Sequence, residues 1–310
     1  MSGESLTEYF TKSFLARKEK PAITFIRNGR PETEISYLEL AQNANRMANT
    51  FVELGVVKGD RVILFIPKSL IFVVAHLALQ KLGAIAVPLN PGFKQSEMQY
   101  LLGDAQAKLM LLDPDKKSFI RKIAPGLTTL VVDSQRPYQD INIFSAASEN
   151  FAPVKIGPDD PGLIIYTSGT TGKPKGAVLT SRNLVHDASN IINIWEITDT
   201  DVICHALPLF HVHGLCFALH TSLLAGAHVL LLDQFSPAGV IDMLSKQDGP
   251  HACTVFMAVP AMYAKLMEHI ADRKFDFSHM RLLTSGSAPL LAQDFERIRE
   301  LFGQEPVERE

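Results

Sequence analysis

The chain has 310 residues, 46% of them hydrophobic and 20% charged, with a formal net charge of −3. That balance is ordinary for a globular protein, and it excludes the basic surface expected of a nucleic-acid binder or of a protein held on anionic lipid. The length suggests about two domain-sized units, and the three cysteines, Cys204, Cys216 and Cys253, have neither a disulfide nor a metal-ligand spacing and read as reduced thiols of a cytoplasmic protein.

The first residues, MSGESLTEYFTKSF, mix both charges and contain no signal-type apolar core. Residues 23–25 and 34–36 read as short strands about an Asn28-Gly29 turn. Residues 37–54 place Leu40, Ala44, Met47 and Phe51 at helical spacing and stop at Gly55. The apolar run RVILFI at 61–66, bounded by Gly59-Asp60 and Pro67, suits a buried parallel strand. A helix at 69–82, a strand at 84–88, a helix near 96–102 and a strand at 108–112 continue the alternation, which indicates a parallel α/β layer.

A loop rich in Pro, Gly and Asp at 153–161 precedes a second α/β series. Its predicted strands are 163–166, 178–179, 202–206, 228–232, 254–259 and 281–285. Its predicted helices are 181–195, 215–225, 237–246, 260–269 and 290–302. The most apolar stretch, 214–232, is interrupted by His220 and His228 and reads as buried helix and strand, with no membrane span.

Residues 166–177 read YTSGTTGKPKGA, directly after the apolar 163–165. Glycines here allow positive φ and a close backbone approach, so successive N–H groups can form an anion-binding nest. Hydroxyls of Thr167, Ser168, Thr170 and Thr171 add donors, and Lys173 and Lys175 add positive charge. The pattern fits a polyphosphate but not a Walker A loop, which would need a glycine at Thr167 and a hydroxyl residue at Pro174.

This segment resembles the phosphate-binding signature of the adenylate-forming superfamily, which includes acyl-CoA synthetases, 4-coumarate ligases, luciferases and peptide-synthetase adenylation domains. VPLNPGF at 87–93, ALPLFHVHGL at 206–215, VPAMY at 259–263 and SGSAPL at 285–290 resemble family segments in family order. The resemblance implies two packed α/β subdomains with layered sheets and helices, expected at 56–198 and at 1–55 plus 199–310. It implies that 1–310 is an incomplete N-terminal adenylation domain. The family's acidic Tyr-Gly-x-Thr-Glu motif would begin at the position of Glu310, and its mobile C-terminal domain would follow, so this chain is expected to lack both.

The implied reaction is attack of a carboxylate on the α-phosphate of Mg-ATP, giving acyl-AMP, followed by transfer of the acyl group to coenzyme A. ATP, Mg²⁺, coenzyme A and a small carboxylic acid are the implied cofactors and partners, and a homodimer is an assembly to test. The resemblance assigns the nucleotide to Thr167, Ser168, Gly169, Thr170, Thr171, Gly172, Lys173, Lys175 and to Ser285, Gly286, Ser287, Ala288 and Pro289. It assigns catalysis to His211 and Lys175, magnesium to Thr170, and the acid to His211, His213 and Gly214. HMRLLTSGSAPL resembles malonyl-CoA synthetases, in which a nearby arginine pairs with the second carboxylate, so Arg281 is the expected anchor for malonate or methylmalonate. The bland alternative for Arg281 is an ion pair at a strand start. A zinc reading of His205, His211 and His213 has no acidic ligand nearby, and His211 and His213 would share a face only on a strand. Alternative functions are a medium- or long-chain fatty acid–CoA ligase, a nucleotide-binding module without turnover, and an amino-acid-activating domain. The last is weakened because Asp233 is the nearest acid after 206–215.

Overall fold

The computed structural model describes residues 4–142, 144, 146–167 and 173–309. The chain opens with α1 (Leu6–Ala16), started by a capping box in which the Ser5 side chain accepts from the Glu8 amide and the Glu8 carboxylate accepts from the Ser5 amide. A hairpin of β1 (Pro21–Arg27) and β2 (Arg30–Ser36) turns at Asn28 and Gly29, both left-handed at φ 50° and 76°. Then come α2 (Tyr37–Glu53), β3 (Arg61–Phe65), α3 (Leu70–Leu82), β4 (Ile85–Pro88), α4 (Gln95–Ala105), β5 (Leu109–Leu112), α5 (Pro114–Ile123) and β6 (Thr128–Val131). Next are β7 (Pro161–Thr167), β8 (Lys175–Thr180), α6 (Ser181–Trp195) and β9 (Val202–His205). A π-helical segment, His213–His220, runs into α7 (Thr221–Ala225), followed by β10 (His228–Leu232) and α8 (Pro237–Leu244). The chain continues with β11 (Val255–Ala258), α9 (Pro260–Ile270), β12 (Leu282–Gly286), α10 (Ala292–Phe302) and β13 (Val307–Arg309).

Contacts divide the chain into two units, Met1–Glu19 with Tyr37–Asp187, and Lys20–Ser36 with Ala188–Glu310. Each has its own sheet. In the first unit the strand order is β6-β5-β3-β4-β7-β8, parallel throughout except for the antiparallel β7–β8 pair. The inner strands β3, β4 and β5 are buried along nearly their whole length, as strands covered on both faces should be. Helix α3 is buried almost all round, capped at its start by Ser69 and ended by left-handed Gly83.

The second unit has the order β13-β12-β11-β9-β10-β1-β2, parallel up to β1, with antiparallel β2 at the edge. Its core includes Phe256, Tyr263, Phe277 and Phe302 with Ile203, Leu230 and Leu283. In parallel sheets of this kind ligands bind beyond the carboxyl ends of the strands. Here those ends lead into residues 206–214 after β9 and 287–291 after β12.

The α/β class and the layered sheets with helices are as expected. The division differs from the expected boundaries: α1 and α2 belong with the first unit, where α2 packs on α3 and α1, while only the β1–β2 hairpin joins the second sheet. The apolar stretch 214–232 resolves into the π-helical segment, α7 and buried β10. Among the described residues, no helix is long and apolar enough to cross a membrane.

Candidate active site

In the first unit, the glycine- and hydroxyl-rich segment closes a hairpin. β7 and β8 pair in register from Leu163 with Leu179 up to Thr167 with Lys175, and the Thr167 hydroxyl donates to the Lys175 carbonyl at 3.5 Å. The chain therefore returns along the sheet edge into β8 and does not open a helix directly after the segment. Thr167 and Lys175 stand exposed at its mouth. Ser168, Gly169, Thr170, Thr171 and Gly172 lie outside the described residues.

Helix α4 fastens the far side of the loop. Tyr100 Oη donates to the Pro174 carbonyl at 3.0 Å, and Lys173 Nζ lies 5.7 Å from the Tyr100 ring centroid. Neither Lys173 nor Lys175 has a carboxylate partner among the described residues. Two exposed, uncompensated cations flanking a glycine- and hydroxyl-rich loop fit a polyphosphate. Tyr100 was missed in the sequence, because nothing local in EMQYLL marks a tyrosine that reaches 74 residues along the chain.

In the second unit, two expected site segments meet at the strand ends. His213 opens the π-helical segment, and its Nδ1 lies 3.0 Å from Ser287 Oγ. Ser287 follows β12 with φ 67°, a left-handed backbone uncommon for serine and of the kind that gathers at functional sites. Ser285 and Gly286 are buried in β12, whereas Ser287, Ala288 and Pro289 are exposed beyond it. Ser285 Oγ and Thr284 Oγ1 are buried without a hydrogen-bond partner, and the Tyr263 hydroxyl of α9 donates to the Thr284 carbonyl at 3.0 Å. Small side chains and unpartnered hydroxyls at a strand end suit the approach of a flat polar ligand.

His211 reaches solvent beside Phe210, ring centroids 4.6 Å apart, and the surrounding protein desolvates it enough to lower its pKa. It is thus a neutral imidazole at neutral pH, able to donate or accept a hydrogen bond without adding charge. Gly214, expected at the acid pocket, packs tightly against the preceding loop. A Cβ there would lie 2.2 Å from the Pro208 carbonyl oxygen, so the glycine permits the loop to fold on itself. Its own carbonyl lies 2.8 Å from His205 Nε2.

Arg281, expected either to anchor a second carboxylate or to form an ion pair at a strand start, makes the ion pair. It precedes β12 at the amino end, opposite the Ser287 end. Its Nε and Nη2 donate to Asp201 at 2.7 and 2.5 Å, Nη1 donates to the Trp195 carbonyl at 3.0 Å, and Nη2 to the Glu196 carbonyl at 3.0 Å. Asp201 is buried, 3% exposed, and also accepts from Thr254 and the Thr198 amide. The guanidinium is paired with a bidentate carboxylate, and four of its five N–H groups are engaged within the protein. Among the described residues, no group of three His, Cys, Asp or Glu is arranged to hold a metal, and Thr170, the expected magnesium contact, is outside them.

The family model described as "AMP-binding enzyme" matches residues 10–309. The chain belongs to the AMP-binding enzyme family. The relatives it resembles are CoA ligases. It is 33% identical over 297 residues to the mitochondrial malonate–CoA ligase of Homo sapiens, covering 88% of this chain and 50% of that one. It is 30% identical over 272 residues to a feruloyl-CoA synthase of an Amycolatopsis species, covering 88% of this chain and 52% of the relative. Crystal structures of MatB from Rhodopseudomonas palustris, apo and ATP-bound, superpose with TM-score 0.87 at 34% identity, over 99% of this chain and 60% and 59% of theirs. The chain thus spans about half the length of the curated relatives it matches. The adenylate-forming resemblance, including the likeness to malonyl-CoA synthetases, is borne out.

Proposed function

We propose that the chain is the nucleotide- and acid-binding part of an AMP-forming acyl-CoA synthetase, which activates a carboxylic acid as acyl-AMP before transfer to coenzyme A. The observation that carries this reading is the contact of His213 with Ser287, where two of the family's own segments meet at the strand ends of the second unit; the exposed Lys173 and Lys175 of the first unit's hairpin loop support it separately. The ATP-bound MatB structure at 34% identity supports ATP as the nucleotide.

A carboxylate cannot be attacked directly by a thiol, because oxide would have to leave; an adenylate leaves as AMP. Charge builds on the phosphoryl oxygens as the acid oxygen attacks, and fixed donors stabilise it. In this chain, Lys173, Lys175, Thr167 and the loop amides would hold the phosphates. The neutral imidazole of His211 would orient the attacking carboxylate without pairing with it so tightly that it loses nucleophilicity. Ser285 and Ser287, with the small residues around them, would receive the adenylate. Magnesium would screen the phosphate charge, with Thr170 the contact we assign.

We favour malonate or methylmalonate as the acid, because a malonate–CoA ligase stands at 33% identity. Because Arg281 is engaged with Asp201, we assign the distal carboxylate to another group. An aromatic or fatty acid is the second reading, favoured by the feruloyl-CoA synthase relative. Calorimetry with non-hydrolysable acyl-sulfamoyl adenosines separates them. The malonyl analogue should bind about tenfold or more tighter than AMP and than the octanoyl and feruloyl analogues. Equal affinity of all analogues and AMP would contradict acid activation, and a feruloyl or octanoyl preference would replace malonate.

A further inference from the structure

Helices α1, α2 and α3 of the first unit enclose a recess of about 140 Å³. Its floor is apolar: Phe10, Phe14 and Leu77 are each at most 4% exposed, and Leu38 completes the wall. Two ammonium groups share this lining, Lys81 from the last turn of α3 and Lys18 just after α1. Lys81 is the unusual one. It is partly buried, and among the described residues its ammonium makes no ion pair or hydrogen bond. Desolvation alone pushes its pKa down. The end of α3 does not supply a partner, since the Gln80 carbonyl accepts from Thr7 Oγ1 at 2.8 Å and the Leu79 carbonyl from the Ala84 amide at 3.0 Å. A cation kept in an apolar recess without a counter-ion is costly and favours an anion carried on a hydrocarbon body.

We propose that this recess binds a small amphipathic carboxylate, with its carboxylate on Lys81 and its hydrocarbon over Phe10, Phe14 and Leu77, as a site separate from the candidate active site. Such a site would let a free aliphatic acid bind the protein without being activated.

The probe is octanoate, titrated into the chain by calorimetry, with a diazirine-bearing octanoate analogue to map the site. The photoprobe should label peptides from α1 and α3. Octanol, which has the same body without the charge, should bind about tenfold or more weakly. Lys81→Met removes a desolvated charge and should leave folding intact; it should weaken octanoate about tenfold while leaving octanol unchanged. Leu77→Trp should block both. A saturating acyl-sulfamoyl adenosine should not displace octanoate. Labelling confined to other segments, equal binding of octanol and octanoate, unchanged binding in Lys81→Met, or displacement by the adenylate analogue would each overturn the proposal. None of these outcomes depends on which acid the adenylate site prefers.

Discussion

Arg281 and Asp201 form an ion pair at a position where the sequence also allowed a substrate contact. Asp201 is pushed toward the neutral form by burial, but hydrogen bonds from Arg281, the Thr198 amide and Thr254 outweigh that, and its pKa is lowered. The pair ties the start of β9 to the start of β12. Removing the arginine would leave a buried carboxylate without its cation, which costs about 3–5 kcal/mol when both groups are buried. The guanidinium is 37% exposed, so solvent screening brings the expectation for Arg281→Met to roughly 2–3 kcal/mol. Urea unfolding measures it. Affinity of the folded variant for malonyl- and octanoyl-sulfamoyl adenosine should stay unchanged; a selective loss for the malonyl analogue would return Arg281 to the acid site. The sequence offered both readings of this arginine. It could not choose, because the partner lies 80 positions away. Gly214 was likewise legible as a site-segment residue, but its close approach to Pro208 depends on the path of the whole loop.

Elements with strong local signals were legible, and those that depend on distant partners were not. The 37–54 periodicity and the RVILFI run gave α2 and β3 because side-chain spacing alone specifies a helix stripe or a doubly covered strand. Helix α1 carried a readable Ser5-to-Glu8 capping box that was passed over, and α5 begins with Pro114 at its first position, another available signal. The π-helical turn at His213–His220 had no such mark, since its extra residue per turn is imposed by packing. For the candidate site, the family segments identified His213 and Ser287 but not that they touch.

The hairpin brings a prediction at this scale. Tyr100 of α4 holds the Pro174 carbonyl and sits under Lys173. Tyr100→Leu removes both contacts, and should weaken ATP binding about three- to tenfold, the equivalent of roughly 1 kcal/mol of lost loop ordering. Tyr100→Phe should keep the ring contact and lose less. Unchanged ATP affinity in both variants would show that α4 does not organise the loop.

At the scale of the whole molecule, stability should fall on mild acidification. Burial pushes His76 in α3 down to about 3 and His228 in β10 down to about 4, from the ordinary 6.5. Both folded values lie below the unfolded one, so the unfolded chain binds more protons below pH 6.5. Their contribution is full above about 6.5 and is lost as pH falls toward 4 and then 3, on the order of 5 kcal/mol for His76 and 3 kcal/mol for His228. Asp201, with its lowered pKa, loses its contribution only below its ordinary 3.8, so the two regimes separate. Urea midpoints taken between pH 7.5 and 4.5 should decline, and His76→Gln should flatten part of that decline. A flat profile would contradict neutral burial of these imidazoles.

If the 167–175 hairpin loop holds the phosphates of ATP, the protein should bind one equivalent of Mg-ATP in a calorimetric titration, and Gly172→Val, which puts a branched side chain into the glycine-rich segment, should lose about tenfold or more in affinity with its circular dichroism and unfolding midpoint unchanged. Unchanged ATP affinity in a folded Gly172→Val protein, or no binding by the unaltered chain, would contradict the account.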